Sequence, residues 1–206
     1  VLLLLTGFGW AKPVPINPAR MNHPRKGIIW TSLAGPLSNL LAALVGVAMG
    51  PVFITVIGQC MGAGDTEAAE YYFHKLMKIT LVFAVVWNVL IFALTPVVLH
   101  FYTLESQTKQ LVLWLVFIHN VFNTVAFPFA DPLGKGLRAC GDVGFTTGIS
   151  LLTTIGVRLV FSVLFAVILQ MGVIGIAFAM CLDWSIRGII FWCRFRQGKW
   201  KSLKVI

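Results

Sequence analysis

Acidic residues are scarce in this chain: seven Asp and Glu stand against sixteen Lys and Arg in 206 residues, and charged residues of both signs make up only 11%. With 58% hydrophobic residues and a mean hydropathy of +0.89, there is too little polar surface to enclose a water-soluble core. An integral membrane protein is the class that remains. The four cysteines, Cys60, Cys140, Cys181 and Cys193, lie in or beside apolar stretches without C-x-x-C spacing, which argues against a disulfide framework and a zinc knuckle. No G-K-[ST] follows either glycine-rich turn, so neither is a phosphate loop. The formal charge of +9 does not point to nucleic acid, because the basic residues cluster beside apolar spans as they do in cytoplasmic loops of membrane proteins. The chain opens at Val1 inside "VLLLLTGFGW" with no initiator Met and no charged n-region, and is expected to be a fragment at that end.

What is present is a series of apolar spans separated by charged turns. The tail "CRFRQGKWKSLKVI" carries Arg194, Arg196, Lys199, Lys201 and Lys204 without an acid and is expected to be cytoplasmic. Spans are predicted at 172–192 and 143–170, turning tightly at Met171 and Gly172, and at 110–130 and 79–101. "DPLGKGLRACGD" and "GAGDTEAAEYYFHKLMK" then read as inner loops and "YTLESQTK" as an outer one. The expected fold is all-α, a polytopic membrane helix bundle of about four full spans plus a half span at 51–61.

The N-terminal quarter breaks this alternation. "AKPVPINPARMNHPRK" is basic and also calls for the cytoplasm, yet residues 27–64 contain no charge before the next inner loop. Two crossings need roughly 40 residues or more, whereas a single continuous helix of about 35 residues would be about 52 Å long against an apolar core of about 30 Å. Gly46, Gly50 and Pro51 weaken the run near its middle. Two unrelated membrane segments joined near residues 44–51 is the preferred expectation, against a divergent single family.

Resemblance agrees with that division. Residues 51–206 resemble the C-terminal lobe of the multidrug and toxic compound extrusion (MATE) family, on the strength of "VIGQCMGAGDTEAAEYY", "LRACGD" and "GVIGIAFAMCLDWSIRGIIFWCRFRQGKW". The resemblance implies an inner-membrane antiporter, built of two six-helix lobes, that exports organic cations in exchange for sodium ions or protons and needs no other cofactor. This chain would supply the last four helices and part of the one before, and would be inactive alone. Residues 1–48, with "GFGWAKPVPINPARMNHPRKGIIWTSLAGPLSNLLAAL", are similar to site-2 protease-type intramembrane zinc peptidases. That likeness implies a role for Asn39, at the Gly-Pro-x-x-Asn position, in holding a substrate carbonyl. The zinc ligands are missing: there is no H-E-x-x-H, the four histidines are isolated, and Asp65, Asp131, Asp142 and Asp183 lie in other contexts. The chain is therefore expected not to be an enzyme; a peptidase fragment without its metal, or a non-catalytic membrane scaffold, are the alternatives.

Polar groups within spans are costly and mark candidate sites. Asp183 and Arg187 are four apart on one helix, and Arg158 lies on the neighbouring helix of the hairpin, so the three form a candidate charge network. It is either a structural staple or a coupling element. His119, Asn120 and Asn123 make a polar patch suited to proton coupling or substrate contact if it faces a cavity, and otherwise to hydrogen bonds within the bundle. Asn88 reads as glue between helices. In the resembled family the helix at 110–130 supplies cation ligands that are often carboxylates, and here no acid precedes Asp131, which weighs against sodium at this position. The motifs around Gln59, Gly62, Gly64 and Asp65, and around Arg138, Gly141 and Asp142, read as turn chemistry: glycines end a helix, and Asp65 (or Thr66) and Asp142 cap the next.

Overall fold

The computed structural model describes residues 50–102 and 104–203, and every regular element among them is helical. Helix α1 (Gly50–Gly62) leads into α2 (Thr66–His100), followed by α3 (Ser106–Val125), the short α4 (Phe127–Ala130) and α5 (Pro132–Ala139), α6 (Val143–Ile168) and α7 (Gly172–Arg196). A 3-10 turn at Lys199–Ser202 closes the tail. Helices α2, α6 and α7 are each long and apolar enough to cross a membrane, and α3 with the α4–α5 stretch is an apolar pair bent by 53° at the break between them, a broken span or a re-entrant loop. This is a polytopic membrane helix bundle, and α1 is the expected short apolar piece. Asn39 and most of the expected junction at 44–51 lie outside the described residues.

Two stretches expected as loops are helical. Residues 66–78 belong to α2, which at 35 residues is about 52 Å long and must extend beyond an apolar core of about 30 Å. The extension has a buried stripe of Ala69, Phe73, Leu76 and Met77, the i, i+4, i+7, i+8 spacing of one helix face, so it packs rather than floats. "DPLGKGLRACGD" likewise contains α5, where Leu133 and Leu137 are buried one turn apart and Pro132 occupies the first helical position, at which its missing N–H costs nothing. A Pro-Gly composition hid an amphipathic turn. The bend lies between α3 and α4, at Ala126, where Pro128 removes a donor from the ladder.

The densest packing is at the basic end of the bundle. Phe53 and Ile57 of α1, Phe73 of α2, Leu133 and Leu137 of α5, and Phe191 and Phe195 of α7 form one cluster with Trp200. The Trp200 ring is fully buried, lies 5.2 Å from Phe73 and stacks on Phe195 at 5.6 Å, and its indole N–H donates to the Phe195 carbonyl at 3.0 Å. The tail is thereby folded back over the helix ends. Away from this cluster the spans are open: only 11% of the apolar window of α2 and 6% of that of α6 is buried, so their outward faces are left for lipid or a further bundle. Helix α7 is the hub, packing on α3, α4, α5 and α6.

Candidate functional site: a polar cavity beside a buried charge triad

The four polar residues picked out on α2 and α3 converge. Asn88 donates through Nδ2 to Asn123 Oδ1 at 3.2 Å and to its own helix at Ala84 O at 2.8 Å, while Asn120 Nδ2 donates to the Asn88 carbonyl at 3.2 Å. Asn88 and Asn120 are buried, and their bonds pin α3 to α2. Beside them opens a cavity of about 550 Å³, lined by Asn88, His119, Asn120 and Asn123 together with aromatic walls that include Trp87 and Phe127. His119 meets Trp184 of α7 edge-on, ring centroids 5.3 Å apart, and Phe127 meets the same indole at 5.3 Å. The cavity therefore presents amides, an imidazole and π-faces, a set that suits a flat organic cation.

Asp183, one residue from Trp184, faces the other way. Its carboxylate is fully buried and accepts Arg187 Nη2 at 2.6 Å on each oxygen and Arg158 Nη2 at 2.7 Å. Arg187 is held further by Thr153 and Thr154, its Nε lying 3.2 Å from Thr153 Oγ1 and its Nη2 3.3 Å from Thr154 Oγ1. Two guanidiniums on one carboxylate leave the triad at +1. Among the described residues Arg158 Nε is a buried donor without a partner. Sequence spacing anticipated the triad but not the geometry of its second helix: Thr153–Leu159 winds as π-helix, and Arg158 sits in that segment. The only signal was indirect, Gly156 and a pair of β-branched threonines in mid-span. The triad and the cavity are not one site. They share α7, where consecutive residues point to α6 and to α3.

The two Gly-Asp turns are one backbone device with two uses. Gly64 and Gly141 have φ of +76° and +91°, and the following aspartate N–H reaches back five residues in each case, Asp65 to Cys60 O at 3.0 Å and Asp142 to Leu137 O at 3.1 Å. Asp65 then caps α2, accepting from Ala68 N at 2.9 Å. Asp142 does not cap α6: its carboxylate accepts Arg194 Nε at 2.7 Å and Nη2 at 3.1 Å. The expected cap is thus corrected to a tie between this turn and the end of α7, because a nearby guanidinium outcompetes a backbone N–H for a carboxylate. Arg138 binds the Thr146 and Ser150 hydroxyls at 3.2 and 3.3 Å, so "LRACGD" joins α5, α6 and α7. Of the remaining turn residues, Gln59 is exposed and its carbonyl accepts Ala63 N at 3.0 Å, while Gly62 has open space around it.

Comparison with known proteins gives the family. The MatE family profile matches residues 31–164, about two-thirds of the chain, taking in α1 to α5 and most of α6. The chain belongs to the MatE family. The match begins within the stretch expected to be peptidase-like and ends before α7. "Putative zinc metalloprotease YwhC" of Bacillus subtilis (strain 168) is 34% identical over 82 residues, 40% of this chain and 37% of that protein. The chain thus spans little more than a third of that relative. No solved structure matches. For a MatE chain, the amide-lined cavity between α2 and α3 and the Asp183 triad are the polar features the membrane would otherwise not tolerate.

Proposed function

We propose that residues 49–206 form a C-terminal-lobe bundle of a multidrug antiporter that exports organic cations in exchange for sodium ions or protons. The observation that carries this reading is the cavity of about 550 Å³ in mid-bundle, where the Asn88, Asn120 and Asn123 amides and His119 face aromatic walls. A planar cation would stack on Trp87 or Phe127 and lose water to the amide oxygens, with no fixed carboxylate to trap it. His119 is the titratable group on the cavity wall and the candidate for proton exchange. Asp183 and its two arginines would act through α7, since a shift of that helix moves the triad together with Trp184, which packs against His119 and Phe127 of the wall. Membership of the MatE family supports the reading.

Alternating access requires two bundles rocking about a shared site, and the described residues supply one. The chain by itself should bind but not transport, with its basic tail on the cytoplasmic side of the inner membrane. Ethidium fluorescence with the chain in vesicles should report saturable binding that weakens several-fold in Asn123→Leu. Ethidium efflux driven by an imposed sodium or proton gradient should appear only when a complementary bundle is supplied. Binding that is unsaturable, or unchanged in Asn123→Leu, would remove the cavity from consideration.

A second reading concerns residues 1–48, which we infer derive from an intramembrane zinc peptidase. The similarity to the Bacillus protein supports it. Among the described residues no group of three or more His, Cys, Asp or Glu is placed to hold a metal. Stoichiometric zinc in the purified chain, measured by elemental analysis, would favour a working peptidase over a remnant.

A further inference from the structure

We propose that the basic end of the bundle carries a binding site for an anionic phospholipid, distinct from the cavity between α2 and α3. A groove of about 600 Å³ runs between α2 and α7, floored by Val125, Ala126 and Phe129 at the break between α3 and α4. Its walls extend from Leu81 to His74 on α2 and from Ser185 to Trp192 on α7, in each case seven residues or about 10 Å of helix. The lining is mostly apolar, with Ser185 at one end and Lys78 and His74 toward the other. There the groove meets a second, polar pocket that shares His74 and Trp192 and adds Arg196 and Lys201.

The rim is positively charged at the depth where the apolar spans finish. Lys78 immediately precedes the run beginning at Ile79, and Trp192, packed edge-on against Phe129 at 5.4 Å, sits where α7 passes into its basic last turn. Glu70 is engaged by Lys201. Among the described residues neither Lys78 nor Arg196 has an ion-pair partner, and both are exposed. An apolar trough opening outward, ending in a tryptophan and uncompensated cations, matches a phospholipid whose acyl chain lies along α2 and α7 and whose phosphate meets Lys78 and Arg196. An organic cation would be repelled by that rim. Residues 1–49 do not complement it either, for they contain four Lys and Arg and no acid.

The test uses the full chain in phosphatidylcholine vesicles with or without phosphatidylglycerol, each lipid brominated in turn to quench tryptophan. Brominated phosphatidylglycerol should quench more than brominated phosphatidylcholine at equal mole fraction, and Trp192→Phe should abolish the excess. Lys78→Gln and Arg196→Gln should each weaken the preference about fivefold, the equivalent of about 1 kcal/mol per surface cation. Ile189→Phe, which narrows the groove without adding a fluorophore and leaves every charge in place, should lower quenching by both lipids. The proposal is overturned by equal quenching from the two lipids, by an excess that survives Trp192→Phe or the charge variants, by full competition from acyl-free glycerol phosphate, or by no quenching of Trp192 itself, read as the difference from Trp192→Phe, as a groove already covered by residues 1–49 would give.

Discussion

Replacing Asp183 by Asn tests the energetics of the triad most directly. The exchange keeps the shape and one acceptor oxygen but removes the charge that two guanidiniums share. Each contact is a charge pair separated by about 4 Å between charge centres, worth about 4 kcal/mol at an effective dielectric of 20. The Arg158 contribution is discounted by more than half, because that side chain is 36% exposed against 15% for Arg187. Some of the loss is returned by the amide oxygen, which still accepts one hydrogen bond. What remains is about 3–5 kcal/mol, the range for breaking a buried pair by removing one partner. At 2–4 °C per kcal/mol for a chain of this size, the unfolding midpoint in detergent should fall by roughly 6–20 °C.

The same arithmetic ranks the partners. Either Arg187→Gln or Arg158→Gln leaves a neutral one-to-one pair and should cost less than Asp183→Asn, and Arg158→Gln should cost least, since it removes the more exposed of the two cations. Replacing all three by leucine should recover most of the loss, because well-packed apolar residues substitute for buried ion pairs at little cost. Thermal unfolding followed by size-exclusion recovery would order the variants. If Asp183→Asn lies within about 1 kcal/mol of the parent, or Arg158→Gln is the worst of the three, the carboxylate is not compensating the arginines and the staple argument fails.

Three further outcomes are expected. Trp200→Ala should destabilise by about 3–5 kcal/mol through loss of a fully buried ring and its hydrogen bond, while Val86→Ala on the open face of α2 should change little, both read by the same melts. Gly175→Ala should splay the hairpin of α6 and α7, since the added methyl would lie 2.7 Å from the Phe165 carbonyl carbon, and a cost of about 1–3 kcal/mol together with changed cross-linking between the two helices would show it. Burial, reinforced by Asp142, pushes the Cys140 thiol up to about 12, so its thiolate appears only as the pH approaches that value. Maleimide at pH 7 to 9 should therefore label exposed Cys193 and spare Cys140 until the chain unfolds, and labelling of Cys140 at pH 7 in the folded chain would contradict its burial.

Much of the bundle was legible because hydropathy is local. Three long apolar helices, the bent apolar pair of α3 with α4 and α5, the short α1, the tight turn near Met171 and the Asp65 cap follow from composition and from residues a few positions apart. The two helical stretches expected as loops were missed because a Pro-Gly composition and a charged run obscured short i, i+4 stripes whose apolar residues matter only once Trp200 and Phe53 close over them. Asp142 was misread for a related reason. Its capping role was inferred from its neighbours, while the group that claimed it, Arg194, is 52 residues away.

Charge scarcity and apolar run length by themselves determined that this is a multi-pass membrane chain, and helical spacing determined that Asp183 and Arg187 could pair. Only the tertiary structure decided that Arg158 joins them from a π-helical segment, that Asn88 and Asn123 meet across two helices, and that Asp183 and Trp184 face opposite neighbours. The physical reason is that burial in lipid is set residue by residue along the chain, whereas a polar group's partner is set by how one helix rotates against another.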